Sequence, residues 1–420
     1  MKRIFVVLFI IFLLGGLTSC SMPRDGAGKS ADEPMLTPLS VKAVWITYYE
    51  LQELLNNRDE TAFSAAVSDA FTELAAWGFN TVTVHVRPCA DAFYRSSYFP
   101  SSEYCFGRQG SDMPYDPLAI LCEAAHENGL KIEAWVNPYR VSQHGDIASL
   151  CDSNIAVKWY NDEEKKSSVY VTESGIYFNP AADGVTDLIV KGVTELVENY
   201  DVDAIHFDDY FYPSAEEAVD SAEYEEYCAD GGSLSLSDYR REVVSNMVKA
   251  VYEAVKSADS TVLFGISPAA DMQRNFDALY ADTVMWATEK GYVDYIVPQI
   301  YFGFLNEAQP FMKTVKRWRN TAKCPLYIGL PLYKSGKKDA YASVSNEEAV
   351  NEFIDNHNII ARQITYLTKS ENVNGFYLFS YGCLHDERCA EEVKNLLQAM
   401  QSSNPEQLHN AVWLPAARGR

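Results

Sequence analysis

Val202-Asp203-Ala204-Ile205-His206-Phe207-Asp208-Asp209-Tyr210-Phe211-Tyr212-Pro213 reads as a buried strand that ends in two adjacent carboxylates among aromatic rings. Side chains alternate along a strand, so Ile205 and Phe207 share one face and His206 and Asp208 the other. Asp209 falls where the strand gives way to loop. Drawing two like charges out of water costs free energy. A pair at the end of an apolar strand therefore points to chemistry, most simply general acid–base work on a sugar. The plainer explanation is a loop or helix-cap pair, since Asp is common after a strand.

Outward from this segment the chain alternates steadily between two periods. Near-continuous apolar strands are expected at 41–49, 81–88, 131–139, 204–211, 262–268, 295–302, 326–332 and 375–381. Amphipathic helices are expected at 61–77, 117–128, 184–199, 237–257, 276–290, 309–321, 346–360 and 386–398. Strands of this kind between helices form parallel sheets. Eight such units predict an α/β fold, a single (β/α)8 TIM barrel over 41–398, with a long insertion after strand 3 at 141–183. An open doubly wound sheet is the alternative, but no Gly-x-Gly-x-x-Gly turn follows the first strand. In the barrel, Val82, Val84 and Val86 face the helices, as do Ile132, Ala134 and Val136, and Ile296, Pro298 and Ile300. The opposite faces end in Arg87, Asn137, Asp208 and Gln299, and these four are expected to converge on one mouth.

The ends read differently. Lys2 and Arg3 precede an apolar run over 4–14 that is too short to span a bilayer. Small residues then lead to Cys20, the pattern of a bacterial lipoprotein signal. Residues 1–19 are thus expected to be a signal peptide, Cys20 the lipidation site and membrane anchor, 20–40 a tether and 399–420 a tail. An ordinary secretory signal with a chance cysteine is the alternative. Loss of Lys2 and Arg3, with no acid in 1–19, moves the formal charge from −23 to −25. Such a chain has no basic patch for nucleic acid. Eight further cysteines lack Cys-x-x-Cys spacing and a histidine cluster, so neither a zinc site nor any other metal or cofactor is expected. Cys89 with Cys105, or Cys383 with Cys389, are possible disulfides in an extracytoplasmic domain.

Several ordered segments carry a family resemblance: Lys42-Ala43-Val44-Trp45-Ile46, Gly78-Phe79-Asn80-Thr81-Val82, Val86-Arg87-Pro88 and Glu133-Ala134-Trp135-Val136-Asn137-Pro138-Tyr139-Arg140. His206-Phe207-Asp208-Asp209-Tyr210-Phe211-Tyr212-Pro213, Phe264-Gly265-Ile266-Ser267-Pro268 and Asp294-Tyr295-Ile296-Val297-Pro298-Gln299-Ile300-Tyr301 complete the set. Together they resemble glycosyl-hydrolase-like family 10 over almost all of 41–398. The resemblance implies a bacterial barrel enzyme, often a lipoprotein, one type of which is a division-site glycosidase acting on peptide-free peptidoglycan glycans. After Ser267-Pro268 the chain departs from the family, with Ala269-Ala270-Asp271-Met272-Gln273 where related proteins carry a Gly- and Trp-containing segment.

Two mechanisms fit these residues. In one, Asp208 orients the acetamido group of an N-acetylated sugar, whose oxygen attacks the anomeric carbon, and Asp209 protonates the leaving group. In the other, Asp208 is the nucleophile and Asp271 supplies the acid. The first is preferred, because peptidoglycan sugars carry acetamido groups. Arg87, Asn137 and Gln299 are expected to hydrogen-bond the sugar, and Trp45, Tyr139 and Tyr301 to stack on it. His206 is expected either to tune Asp208 or to be a satisfied core histidine. A starch-like substrate is a rival, since Asp-Ala-Ile-His-Phe-Asp also resembles the fourth strand of α-glucan barrels. A non-catalytic carbohydrate-binding lipoprotein is another. Oligomeric state is not legible.

Overall fold

The computed structural model describes residues 39–402. The expected signal peptide and Cys20 lie outside the described residues, as do most of the tether and tail. Residues 399–402, assigned to the tail from sequence, instead complete the helix Ala390–Ser402.

Eleven strands are present among the described residues: β1 Val41–Ile46, β2 Thr81–Arg87, β3 Lys131–Val136, β4 Arg140–Ser142, β5 Val169–Thr172, β6 Gly175–Phe178, β7 Ala204–Phe207, β8 Leu263–Ile266, β9 Tyr295–Ile296, β10 Tyr327–Leu330 and β11 Gly375–Phe379. Eight form one parallel sheet in the order β10-β11-β1-β2-β3-β7-β8-β9. Isolated bridges from Ile296 to Leu326 and from Gln299 to Gly329 join its two ends, so the sheet closes into a (β/α)8 barrel. All eight expected barrel strands are there, each shorter than its apolar run, because the last residues of each run have left the ladder for the loops that follow.

Two apolar layers hold the barrel. Val82, Val84, Ile132, Ala134, Ile205 and Phe207 point outward into the large core shared with the helices. Each fully buried Val, Ile or Phe of this layer contributes about 1.5–3 kcal/mol. Inside the barrel, Ala43, Trp45, Trp135, Ala204, Tyr295, Val297 and Tyr377 form a second, smaller cluster. Gly265 makes room for it, since a Cβ there would stand 2.1 Å from the Tyr295 ring.

Two of the expected helices are divided, and Tyr48–Leu55 and Ser221–Ala229 are helices that the sequence reading did not include. The run 276–290 is broken into Met272–Ala278 and Thr283–Thr288, because Tyr280 takes a left-handed φ of 50° and Asp282 caps the second piece. The run 346–360 ends at Asp355, and a separate helix, Ile359–Thr368, follows. The insertion after β3 folds into a small antiparallel sheet, β4-β6-β5, on the side of the barrel where the strands end. The eight cysteines among the described residues are free thiols, so neither Cys89 with Cys105 nor Cys383 with Cys389 is bridged.

Candidate active site

Asp208 follows β7 directly and is 3% exposed. Its Oδ1 accepts from Asn137 Nδ2 at 2.6 Å and from the backbone N–H of Tyr210 at 3.1 Å. Its Oδ2 accepts from Asn137 Nδ2 at 2.6 Å and from Trp135 Nε1 at 3.0 Å. Asn137 is itself held, for its Oδ1 accepts from Arg140 Nη2 at 3.0 Å and pairs with His85 Nε2 at 2.5 Å. The His85 ring stacks on Trp135 with centroids 3.6 Å apart. Burial and the Arg140 charge hold His85 well below the ordinary histidine range, so the ring is neutral and donates from Nε2. The end of β3, braced by His85 of β2, thus delivers two side-chain donors to one carboxylate.

Asp209 is less enclosed. Its Oδ1 accepts from Gln299 Nε2 at 3.1 Å, and the same nitrogen donates to the Ser267 carbonyl at 2.8 Å. Burial, then the charge of Asp209, push Asp208 up to about 7, while Arg140 and the donors pull it down. Burial pushes Asp209 up as well. Two carboxylates this close cannot both ionise freely, so the pair keeps a proton toward neutral pH. Tyr301, half-buried against Tyr333 and Phe379, stands near both aspartates. Tyr210 is 52% exposed and covers the Arg140 guanidinium at 4.8 Å from its ring centroid.

The structure therefore gathers Asn137, Asp208, Asp209, Gln299 and Tyr301, and it sets five other expected residues elsewhere. Arg87 does not reach the mouth. A bulge in β2 pairs His85 with Trp135 and then Arg87 with Val136, leaving Val86 as the extra residue. A one-residue slip turns a side chain to the other face, so Arg87 lies buried over the Phe99 ring at 4.4 Å. Tyr139 is 1% exposed in the outer core, and Trp45 is 2% exposed inside the barrel beside Tyr377, Phe379 and His206, so neither offers a ring face to a ligand. His206 does not tune Asp208 by a hydrogen bond. It is a satisfied core histidine, bonded to Trp45 Nε1 (3.4 Å), Tyr295 OH (3.3 Å) and Ser267 Oγ (3.0 Å), and burial pushes it down to about 3. Asp271 caps the helix Met272–Ala278 with Oδ1 and accepts from Gln309 Nε2 at 2.9 Å with Oδ2, so both its oxygens are engaged away from the pair.

Three residues of the site were not singled out from sequence. Trp135 and His85 share the inward face of their strands with Thr83 and Glu133, and that alternation was the available signal. Arg140 is the cation of the site, and it lies beyond the end of β3, where alternation no longer applies. One layer deeper, Glu133 accepts from Thr83 Oγ1 and from Tyr377 OH, both at 2.7 Å, and burial pushes it up to about 7.

A closed parallel barrel with a carboxylate pair at the C-terminal end of one strand is the architecture of a glycoside hydrolase. The chain matches the glycosyl hydrolase-like 10 family over residues 40–344 and belongs to that family. It is 34% identical over 438 residues to glycosyl hydrolase YngK of Bacillus subtilis (strain 168), a match covering 97% of this chain and 79% of YngK. It is 33% identical over 299 residues to glycosyl hydrolase DigH of Escherichia coli (strain K12), covering 65% of this chain and 66% of DigH. The PgaB (BpsB) glycoside hydrolase domain from Bordetella bronchiseptica shares the fold, with a TM-score of 0.53 at 10% identity over 84% of this chain and 98% of that domain.

Proposed function

We propose that this chain is a cell-envelope glycosidase that cleaves glycan strands of N-acetylated sugars, peptide-free peptidoglycan in particular, while anchored by lipid on Cys20. The leader pattern before Cys20 supports the anchoring. The observation that carries the catalytic reading is the unequal pair at the end of β7. Asp208 is oriented by three N–H donors, whereas Asp209 takes a side-chain hydrogen bond from Gln299 and is more open.

That inequality divides the labour. Three N–H donors favour the carboxylate form of Asp208, against a single side-chain donor at Asp209. In this reading the proton that the pair shares is carried by Asp209, the general acid, and Asp208 acts as the carboxylate. A fixed carboxylate in that position orients a substrate acetamido N–H and stabilises the positive charge that develops as its oxygen attacks the anomeric carbon. Adjacent aspartates suffice because the substrate supplies the nucleophile. Gln299 and Tyr301 complete the wall around the ring.

The test uses two leaving groups. Asp209→Ala is expected to lose at least about 100-fold in rate on glycan strands, whose leaving oxygen needs a proton. It is expected to keep much of its rate on activated aryl glycosides, which need none. Equal loss on both removes the acid role, and turnover of α-glucans in place of peptide-free glycan overturns the substrate assignment.

A further inference from the structure

A row of side chains runs outward from Asp208 along one face of the β4-β6-β5 sheet. Arg140 on β4 stands opposite Tyr177 on β6, and Tyr177 stands opposite Tyr170 on β5. Residues directly opposite in antiparallel strands place their side chains on the same face. Arg140 begins the row at Asn137, beneath the exposed ring of Tyr210. Tyr177 and Tyr170 then line a groove of about 440 Å³, whose far wall is Pro213 and Glu216 from the loop that follows Asp208 and Asp209. Strands lie about 5 Å apart, so Tyr170 sits two strand spacings beyond Arg140, a reach comparable to two sugar rings.

The lining specifies a ligand. Tyr170 donates its hydroxyl to Glu216 Oε2 at 2.8 Å, which fixes the ring. Tyrosine and proline faces suit the C–H face of a pyranose, while Glu173 and Glu216 offer acceptors for its hydroxyls. Neither lysine nor arginine lines the groove, so a sugar bearing a carboxylate meets repulsion there.

We propose that this groove is a distal subsite that grips an uncharged sugar of the same strand, about two rings from the bond cut. The proposal rests on the glycan-strand reading above and deepens it.

The experiment compares kcat/KM of the full chain on peptide-free glycan oligomers from disaccharide to octasaccharide. Wild-type values are expected to rise with length and then level off. Tyr170→Ala, and independently the exposed-site variant Glu216→Ala, are expected to lose about tenfold on the long oligomers and little on the shortest. An unchanged curve, or the same loss at every length, overturns the subsite and leaves the glycosidase reading standing. A wild-type chain that cleaves none of the oligomers overturns both. N-acetylglucosamine oligomers are expected to compete with the octasaccharide and to weaken about tenfold as inhibitors of Tyr170→Ala. Oligouronates of equal length are expected not to compete, and equal competition by them overturns the selection for an uncharged sugar.

Discussion

Asn137 is the residue on which the pocket turns. It receives the Arg140 and His85 contacts on its oxygen and passes their orientation to both oxygens of Asp208 through its nitrogen. Asn137→Ala is expected to cost about 100-fold in kcat, the scale of a misplaced catalytic group, with the fold intact by circular dichroism. A folded variant at wild-type rate would show that Asp208 needs no such orientation. The carboxylate pair also makes a statement about stability. Its folded-state affinity for protons is raised above the unfolded value. The folded chain therefore binds more protons than the unfolded chain between about pH 4 and 7, and stability falls as pH rises through that window. Asp209→Asn removes one of the two charges. Its melting temperature is expected to match wild type near pH 4 and to exceed it by pH 8, and a constant difference across that range contradicts the shared proton. Legibility at this scale followed alternation. Asp208 and Asn137 were readable because each follows its strand by one residue, and Gln299 because bridges to Ala269 and Gly329 carry the β9 pairing onward, whereas Arg87 was misplaced by the β2 bulge, which composition does not announce.

Elements are tied together at the mouth by Glu50. The helix Tyr48–Leu55, absent from the sequence reading, opens with a capping box in which Thr47 Oγ1 accepts from Glu50 N and Glu50 Oε2 from Thr47 N. The other Glu50 oxygen accepts from Ser380 Oγ at 2.6 Å and from Gly382 N, both in the loop after β11. One side chain thus clamps the loop after the first strand to the loop after the last. Glu50→Ala removes a cap contact and leaves a backbone N–H to find water, so a loss of about 2–3 kcal/mol is expected in urea unfolding. A change within about 0.5 kcal/mol would show the clamp to be idle. The motif was present in the sequence as Thr47-Tyr48-Tyr49-Glu50, but the apolar strand reading of 41–49 ran over it. The β4-β6-β5 sheet was legible only as an insertion, since strands of three or four residues carry too little alternation to register.

For the whole molecule, eight repeating strand–helix units were enough to give the barrel, because each strand is apolar on the helix side for a reason that periodicity exposes. The place where the cylinder closes was not legible. Ladders of four or more paired residues join β1 to β11, to β2, and β2 to β3, whereas β9 and β10 meet through isolated bridges and a few bonds such as Ile300 N to Gly329 O at 3.1 Å. Gly329 allows that approach, since a Cβ there would stand 3.1 Å from Gln299 Cα and from the Trp45 ring. Local opening follows sparse hydrogen bonding. Amides of 295–300 and 327–330 are therefore expected to exchange with deuterium sooner than those of β1 and β2, and uniform protection around the barrel contradicts a weak seam. Gln299 sits on this seam, so exchange there also reports on the wall that faces Asp209.

The central claim is that Asp208 and Asp209 hydrolyse a glycosidic bond in one pocket with Asn137 and Gln299. Its most direct test is mass analysis of products from defined peptide-free glycan strands digested in heavy-oxygen water by wild type and by Asp208→Asn. Wild type is expected to place the heavy oxygen on the new reducing end, and Asp208→Asn to lose at least about 100-fold of that product. Label appearing at the wild-type rate in Asp208→Asn, or no labelled end in either, would contradict it.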